Sequence, residues 1–533
     1  MVTSNRLRRD FVYWQNQRRL KRLTREIAEA APQALSTATH SVVFFRASTG
    51  ILQMSLNTAF SVLASMGLRL AGWPVVHFTC RSGMSRCVQG TRKENPHHPP
   101  PCRPCIAHSN LLYAHAQRHE FTYSQHEELA RTLRRLDLPS MATFVYRGIP
   151  LGKLVMPSLW WVMRRTHLPD DEPTRYLAGE MILSAFQVAQ QFTTLLKKAN
   201  PQAVVVFNGI LFPEATARWI AQQRGVRVIT HEVGLRPMSA FFTEGEATAY
   251  PINIPADFEL NSQQNARLDA YLEKRFQGQF TMAGIRFWPE MRRLDEDFLK
   301  RAAGFRQIVP VFTNVIFDTS QVHASAVFPD MFAWLEQVQQ IIRAHPETLF
   351  VLRAHPDEMR INKESRETVH DWALANRLTE LPNVLFIDSR QYLNSYELIQ
   401  RAKFVMVYNS TIGLEASILG SAVLCGGKAR YTQYPTVYFP QTPEAHKQQA
   451  ETLLAAEKID VPAEFQRQAR RFLYYQLYRT SLPFNQYLEE GARPGFVKLR
   501  PFPWQELLAK NSPTMGVIIE GIVNGGNFLL PEG

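Results

Sequence analysis

Long uncharged apolar runs are missing from this chain. The nearest approach, Ile51 to Val76, is interrupted by Asn57, Arg69 and Pro74, so no stretch reads as a membrane span. No apolar segment follows the charged start, so the opening does not read as a secretory signal and a cytoplasmic chain is expected. Cysteine is scarce as well: five in 533 residues exclude a disulfide scaffold. Internal repeats and long low-complexity segments are absent apart from a proline-rich patch at 96 to 104, which excludes solenoid and fibrous classes. Acidic residues are outnumbered, 47 against 60 Lys and Arg, for a formal charge of +13. That excess is uneven. Arg6, Arg8, Arg9, Arg18, Arg19, Lys21, Arg22 and Arg25 stand against Asp10 alone in the first 25 residues. No platform of alternating aromatic and basic residues accompanies them, so nucleic acid is not the expected partner. With Leu7, Phe11, Val12, Trp14, Leu20 and Leu23 interspersed, a basic helix there suits an anionic membrane surface, at the inner face of the membrane, or a solvated extension packed on the body.

What is present is an α/β pattern. At 45% hydrophobic the chain is globular, and its length exceeds one ordinary core, so two domains with extensions are expected. Val42 to Phe45 is a short apolar strand, Arg46 to Gly50 a tight turn, Asn57 to Leu70 a helix and Val75 to Phe78 a second strand. Helical stretches follow near 121 to 137 and 173 to 199. Strands at Ala203 to Phe207 and Val226 to Thr230 end at Asn208-Gly209 and His231-Glu232. A second series starts near 308: Ile308 to Phe312, Leu349 to Leu352, Asn383 to Ile387, Phe404 to Tyr408 and Ala422 to Cys425. The expected fold is therefore two Rossmann-like α/β domains facing across a cleft. The divisions are a basic helical extension (1–40), a first domain (41–290) with a cysteine-bearing loop (80–105), a second domain (291–480) and a C-terminal extension (481–533).

Ligands in open α/β sheets bind at the carboxyl ends of the strands, and polar residues cluster there. Phe404 to Ala416 reads as strand, polar turn and helix, with Asn409, Ser410 and Thr411 suited to a helix start that attracts phosphate. Thr411 and Glu415 are four residues apart, about 6 Å along one helix face, so a phosphate at the tip would put a sugar hydroxyl near Glu415. Asn314, Arg353, His355, Gly413, Lys428 and Asp318 fall at neighbouring strand ends. On the first domain, Ser48, Gly50 and Asn208 are acceptor-side candidates, and Glu232 and His231 are candidates for a base.

Ser395-Tyr396-Glu397-Leu398, Asn409 to Ala416 and Arg353-Ala354-His355-Pro356 together resemble the donor half of bacterial capsule polysaccharide biosynthesis glycosyltransferases of the Kdo-transferase type. The resemblance implies the two-domain GT-B arrangement and a nucleotide-sugar donor whose pocket is lined by His355, Ser410, Thr411 and Glu415. It implies transfer to a surface polysaccharide or lipid-linked glycan, with no cofactor required for catalysis. A nucleotide-sugar 2-epimerase and a non-catalytic glycan-binding or export scaffold share enough of these features to stand as alternatives.

Cys80, Cys87, Cys102 and Cys105 are separated by six, fourteen and two residues. Cys102-Arg103-Pro104-Cys105 is a usual half-site for tetrahedral zinc, whereas the first half lacks the close spacing. His97, His98 and His108 are further donors. A structural zinc, an iron–sulfur cluster and unliganded thiols remain open on spacing alone.

Overall fold

The computed structural model describes residues 2–31, 40–47, 53–277, 292–360, 364–491, 493 and 495–532, with backbone alone at 2–10. The acceptor candidates Ser48 and Gly50 lie outside the described residues.

The first domain is built on a seven-stranded sheet in the order Leu482–Pro483, Ser239–Glu244, Arg227–Val233, Ala203–Phe207, Val42–Arg46, Val75–Cys80, Gln117–Phe121. The last five of these are parallel, and the first two add on antiparallel. Strict alternation along Val42–Arg46 splits the core. Val43 and Phe45 pack on one face with Phe78, Leu177 and Phe192, while Val42 and Phe44 pack on the other with Phe60, Leu63 and Met515. Both faces are covered, which is why the strand is a continuous apolar run. The helix Leu56–Leu70 that follows starts at Ser55, whose Oγ accepts from Thr58 N at 3.2 Å.

The second domain carries a five-stranded parallel sheet in the order Val384–Ile387, Thr348–Arg353, Gln307–Phe312, Val405–Val407, Val423–Cys425. The chain enters at the centre, runs outward through Thr348–Arg353 and Val384–Ile387, then crosses back to Val405–Val407. The strand order therefore reverses between Gln307–Phe312 and Val405–Val407, whose carboxyl ends open a crevice. The first sheet reverses in the same way between Val42–Arg46 and Ala203–Phe207.

Several expectations change in detail. Gln117–Phe121 is an additional edge strand, and the helical stretch expected near 121 to 137 starts later, as short helices at Glu127–Leu133 and Leu138–Ala142. The segment after 480 is not a tail. Leu482 pairs with Ala240, and Leu488, Leu499, Met515 and Ile518 complete the first domain's core, so the chain crosses to the second domain and returns. The helix Val2–Ala30 is likewise docked through its second half: Leu20, Leu23 and Ile27 are buried in that core, leaving Phe11 and Trp14 exposed. No described helix is long and apolar enough to cross a membrane.

Candidate functional site

The carboxyl ends of both sheets meet at a cavity of about 350 Å³. Trp161, Arg164, Val233, Gly234, Thr248 and Tyr250 wall it from the first domain, and Asn314, Phe317, Asp318, His323, His355, Arg360, Ser410, Thr411, Lys428 and Arg430 from the second. Side chains cross between the lobes around it. Thr166 Oγ1 donates to Ile316 O at 3.2 Å, and His323 Nε2 and Thr248 Oγ1 are 2.8 Å apart. Arg471 Nη2 donates to Pro255 O at 2.8 Å.

Of the eight donor-side candidates, Asn314, His355, Asn409, Ser410 and Thr411 are in the wall. Asn409 N donates to Asn314 Oδ1 at 3.2 Å, tying the ends of the two central strands together. His355 Nδ1 accepts from Asp357 N at 3.1 Å, so in the neutral ring the proton sits on Nε2, which becomes the donor available to a ligand. Burial lowers the pKa of His355 and favours that neutral form. Ser410 and Thr411 do not cap the helix Ile412–Ile418 as expected. Thr411 has helical backbone angles and makes no side-chain cap bond.

The other three candidates face elsewhere. Gly413 packs under Tyr431: an added Cβ would stand 2.3 Å from the Tyr431 hydroxyl oxygen, and that hydroxyl donates to Ser410 O at 2.7 Å. Glycine is needed there for close packing. Arg353 is buried with its Nη1 on Ser395 Oγ, and desolvation brings its pKa down to about 10. Glu415 is turned to the helix Ser262–Phe276. Its Oε1 accepts from Arg275 Nε at 2.8 Å and Nη2 at 2.5 Å, and its Oε2 from the Tyr396 hydroxyl at 2.5 Å. The carboxylate expected to meet a ribose is the centre of a buried ion pair.

On the first domain, Glu232 and His231 are adjacent in one strand and must point to opposite faces. His231 points into the core, stacked on Phe242, with neither ring nitrogen hydrogen-bonded, and burial drives its pKa far down. It has no access to a substrate. Glu232 is half-buried and does not itself line the cavity, although Val233 and Gly234 beside it do. Its Oε1 accepts from Asn57 Nδ2 at 3.0 Å and Val233 N at 2.8 Å, and its Oε2 from Asn208 Nδ2 at 3.0 Å. Desolvation raises its pKa above the ordinary glutamate value despite these bonds. Asn208 is itself buried and reaches Thr319 Oγ1 across the domain boundary at 3.3 Å, so it is a strut rather than an acceptor contact.

Four basic wall residues were not foreseen: Arg164, His323, Arg360 and Arg430. Arg164 ends the helix Leu151–Met163 in the left-handed conformation and is only 7% exposed. Its guanidinium lies 4.1 Å from the Trp161 ring centroid and 4.7 Å from that of Phe317, and its Nη1 has no protein hydrogen-bond partner. Desolvation lowers its pKa to about 10, so it stays charged at neutral pH. The apolar helix ending in Arg164-Arg165 was the available signal.

The four clustered cysteines line one small separate cavity, while Cys425 is buried alone, its Sγ 3.0 Å from Tyr408 O. Among the described residues, no three His, Cys, Asp or Glu side chains form a group that could hold a metal ion. Desolvation pushes the Cys80 and Cys87 thiols up to about 12.

Residues 285–457 match the sequence model of the family described as capsule polysaccharide biosynthesis protein. Among solved structures, the chain is similar to the beta Kdo 2,4 transferase of Thermosulfurimonas dismutans KpsC, with 13% identity over 53% of this chain and 80% of that one and a TM-score of 0.35. The beta Kdo 2,7 transferase of the same protein gives 17% identity, coverage of 53% and 79%, and a TM-score of 0.30. A UDP-GlcNAc 2-epimerase from Neisseria meningitidis gives 12% identity, coverage of 82% and 98%, and a TM-score of 0.26. No curated protein matches.

Proposed function

We propose that this chain is a glycosyltransferase that moves a sugar from a nucleotide-sugar donor to a surface polysaccharide or lipid-linked glycan. The observation that carries the reading is the interdomain cavity at the strand carboxyl ends, walled by Arg164, Arg360, Lys428 and Arg430 with the hydroxyls of Ser410 and Thr411 between them. A departing nucleotide phosphate gains negative charge as the glycosidic bond breaks. Fixed cations and neutral donors in a water-poor site stabilise that charge without reorganising. His355, as a neutral Nε2–H donor, suits a phosphate oxygen in the same role. The match of residues 285–457 to the capsule polysaccharide biosynthesis family supports this assignment for the lobe holding most of these groups.

The acceptor hydroxyl must lose a proton as it attacks the anomeric carbon. We assign that proton to Glu232, whose raised pKa makes it a better base and whose position Asn57, Asn208 and Val233 N fix. A second reading gives the role to Asp318, favoured because Asp318 is in the cavity wall and Glu232 is not. On the surface, the exposed Phe11 and Trp14, with Arg18 over the Trp14 ring, and the exposed Lys21, Arg22 and Arg25 would suit an anionic membrane face.

A thermal-shift panel of cytidine, uridine, guanosine and thymidine nucleotides tests the donor site. At a hundred times its dissociation constant one nucleotide class adds about 2.7 kcal/mol of apparent stability. No response from any of them refutes a nucleotide donor. Incubation of the responding nucleotide-sugar without acceptor then separates transfer, which leaves it mostly intact, from epimerisation, which yields an isomer.

A further inference from the structure

We infer that Glu367 is a positioning residue of the interdomain cavity: from the second domain it holds the first domain's Arg164 in the wall, where, on the function proposed above, that arginine meets phosphate. Glu367 is not itself a wall residue. Its carboxylate gathers three donors from the other domain. Oε2 accepts from Thr166 N at 2.9 Å and from His167 N at 3.0 Å, and Oε1 is 2.5 Å from His167 Nδ1. The adjacent Arg366 N donates to Arg164 O at 2.8 Å. Arg366 and Glu367 thus grip the stretch 164–167 from across the domain boundary.

That stretch needs a grip. Arg164 ends its helix at φ 60° and ψ 39°, a left-handed conformation that side chains bearing a Cβ disfavour, and it carries a guanidinium into a largely buried place. An exposed ion pair would do little to hold such a bend. A carboxylate that accepts from two successive backbone amides fixes the backbone itself.

The gripping segment is in turn fastened to the donor side of the cavity. Ser365 N donates to Glu358 O at 2.8 Å and Val369 N to Glu358 Oε1 at 2.7 Å, while Glu358 N donates to His355 O at 3.0 Å. Glu358 is buried, so it ties the segment bearing Glu367 firmly to the strand end bearing His355. Arg164 in one lobe and His355 in the other are therefore set in register through Glu367.

The ring of His167 makes the grip sensitive to pH. Its Nε2 lies 3.5 Å from Asp330 Oδ2, and Glu367, Asp330 and Glu336 are the charges that act on it. Burial lowers the pKa of His167, but the Glu367 hydrogen bond and these three charges raise it overall. The protonated ring completes the grip, and that part is lost as pH rises through the raised pKa.

The test is calorimetric titration of the full chain with the responding nucleotide and with pyrophosphate. Glu367→Ala should weaken binding at least about tenfold, the scale of one lost charge-assisted contact. In an Arg164→Met background the same change should add less than about twofold, because its effect runs through Arg164. Glu367→Gln keeps an oxygen for the two amides but not the charge facing His167. It should bind with intermediate affinity and lack the parent's fall in affinity between about pH 7 and 9. Equal affinity of parent and Glu367→Ala, or full losses that add in the double variant, overturns the assignment. Crystal structures supply an arm that needs no ligand: in Glu367→Ala the Arg164 guanidinium should leave the Trp161 and Phe317 rings, and an unmoved guanidinium overturns the positioning role. If the parent binds neither probe, the anion reading of the cavity fails and this arm alone decides. Should Glu367→Ala not fold, Glu367→Gln carries both comparisons.

Discussion

Replacing Glu415 by Gln separates a ligand from a structural charge. The carboxylate and the Arg275 guanidinium are 5% and 6% exposed, in contact at 2.5 Å, and Tyr396 satisfies the second oxygen. Glutamine keeps the shape and removes the negative charge, leaving a buried guanidinium uncompensated. Breaking one side of such a pair costs about 3–5 kcal/mol. For a domain of this size each kcal/mol moves the melting midpoint by about 2–4 °C, so the second domain should melt about 6–20 °C lower. The Arg275→Met, Glu415→Leu double variant, with neither charge, should recover most of the loss because it also removes both desolvation costs. Differential scanning calorimetry of the parent and both variants, with and without the responding nucleotide, reads the two effects separately. The nucleotide-induced increment should be the same in all three. A Glu415→Gln protein that melts with the parent and no longer responds to nucleotide would refute the structural assignment and restore Glu415 to the donor site.

Arg164→Met should weaken nucleotide binding by about 10- to 150-fold, the loss of a charge-assisted bond of about 1.5–3 kcal/mol, without lowering the melting point of the free protein; calorimetric titration showing unchanged affinity counts against the anion site. Glu232→Gln should reduce transfer by at least about 100-fold with donor affinity intact, and normal transfer in that variant together with inactivity of Asp318→Asn would move the base to Asp318. His231→Phe should leave transfer untouched and raise stability by about 1–3 kcal/mol, because it removes buried ring nitrogens without partners; lost transfer would show that the histidine is used. Desolvation raises the pKa of Glu358 from 4.5 to about 7, so the folded protein holds a proton the unfolded chain releases, and this group's contribution falls as pH rises from 4.5 to 7. Glu358→Gln should therefore match the parent near pH 4.5 and exceed it by about 3 kcal/mol above pH 7; denaturant melts with no such divergence contradict the shift.

The strands and the ends that matter were legible because parallel strands covered on both faces must be apolar runs. Val204 to Phe207 and Phe404 to Tyr408 break into polar residues only where the sheet opens. That placed Asn314, His355, Asn409, Ser410 and Thr411 in one wall. The failures have a common cause in distant partners. Glu415 is claimed by Arg275, 140 residues away, and Leu482 is paired with Ala240; local spacing contains neither fact. His231 is different, since the two-residue alternation of a strand already forbids it and Glu232 from sharing a face. Arg164 follows an apolar helix, a signal for a buried cation but not for the cavity it would line.

Arg164 shows how the cavity is maintained at a cost to the protein without ligand. Stacking on Trp161 and Phe317 returns about 0.5–2 kcal/mol through the ring quadrupoles, whereas taking a guanidinium out of water costs several kcal/mol even after relaxation. Glu364 is the nearby charge that supports it, and Nη1 still lacks a protein acceptor. The deficit persists because the rings and the backbone of Arg366, which donates to Arg164 O at 2.8 Å, hold the side chain in the wall. An anion entering the cavity removes that deficit and meets a charge that bulk salt screens poorly. Ser410, Thr411 and His355 line the same cavity from the other lobe, so on the proposed function the anion's charge would be shared between the domains. On the proposed function, Arg164 would then favour a ligand that carries phosphate at one end.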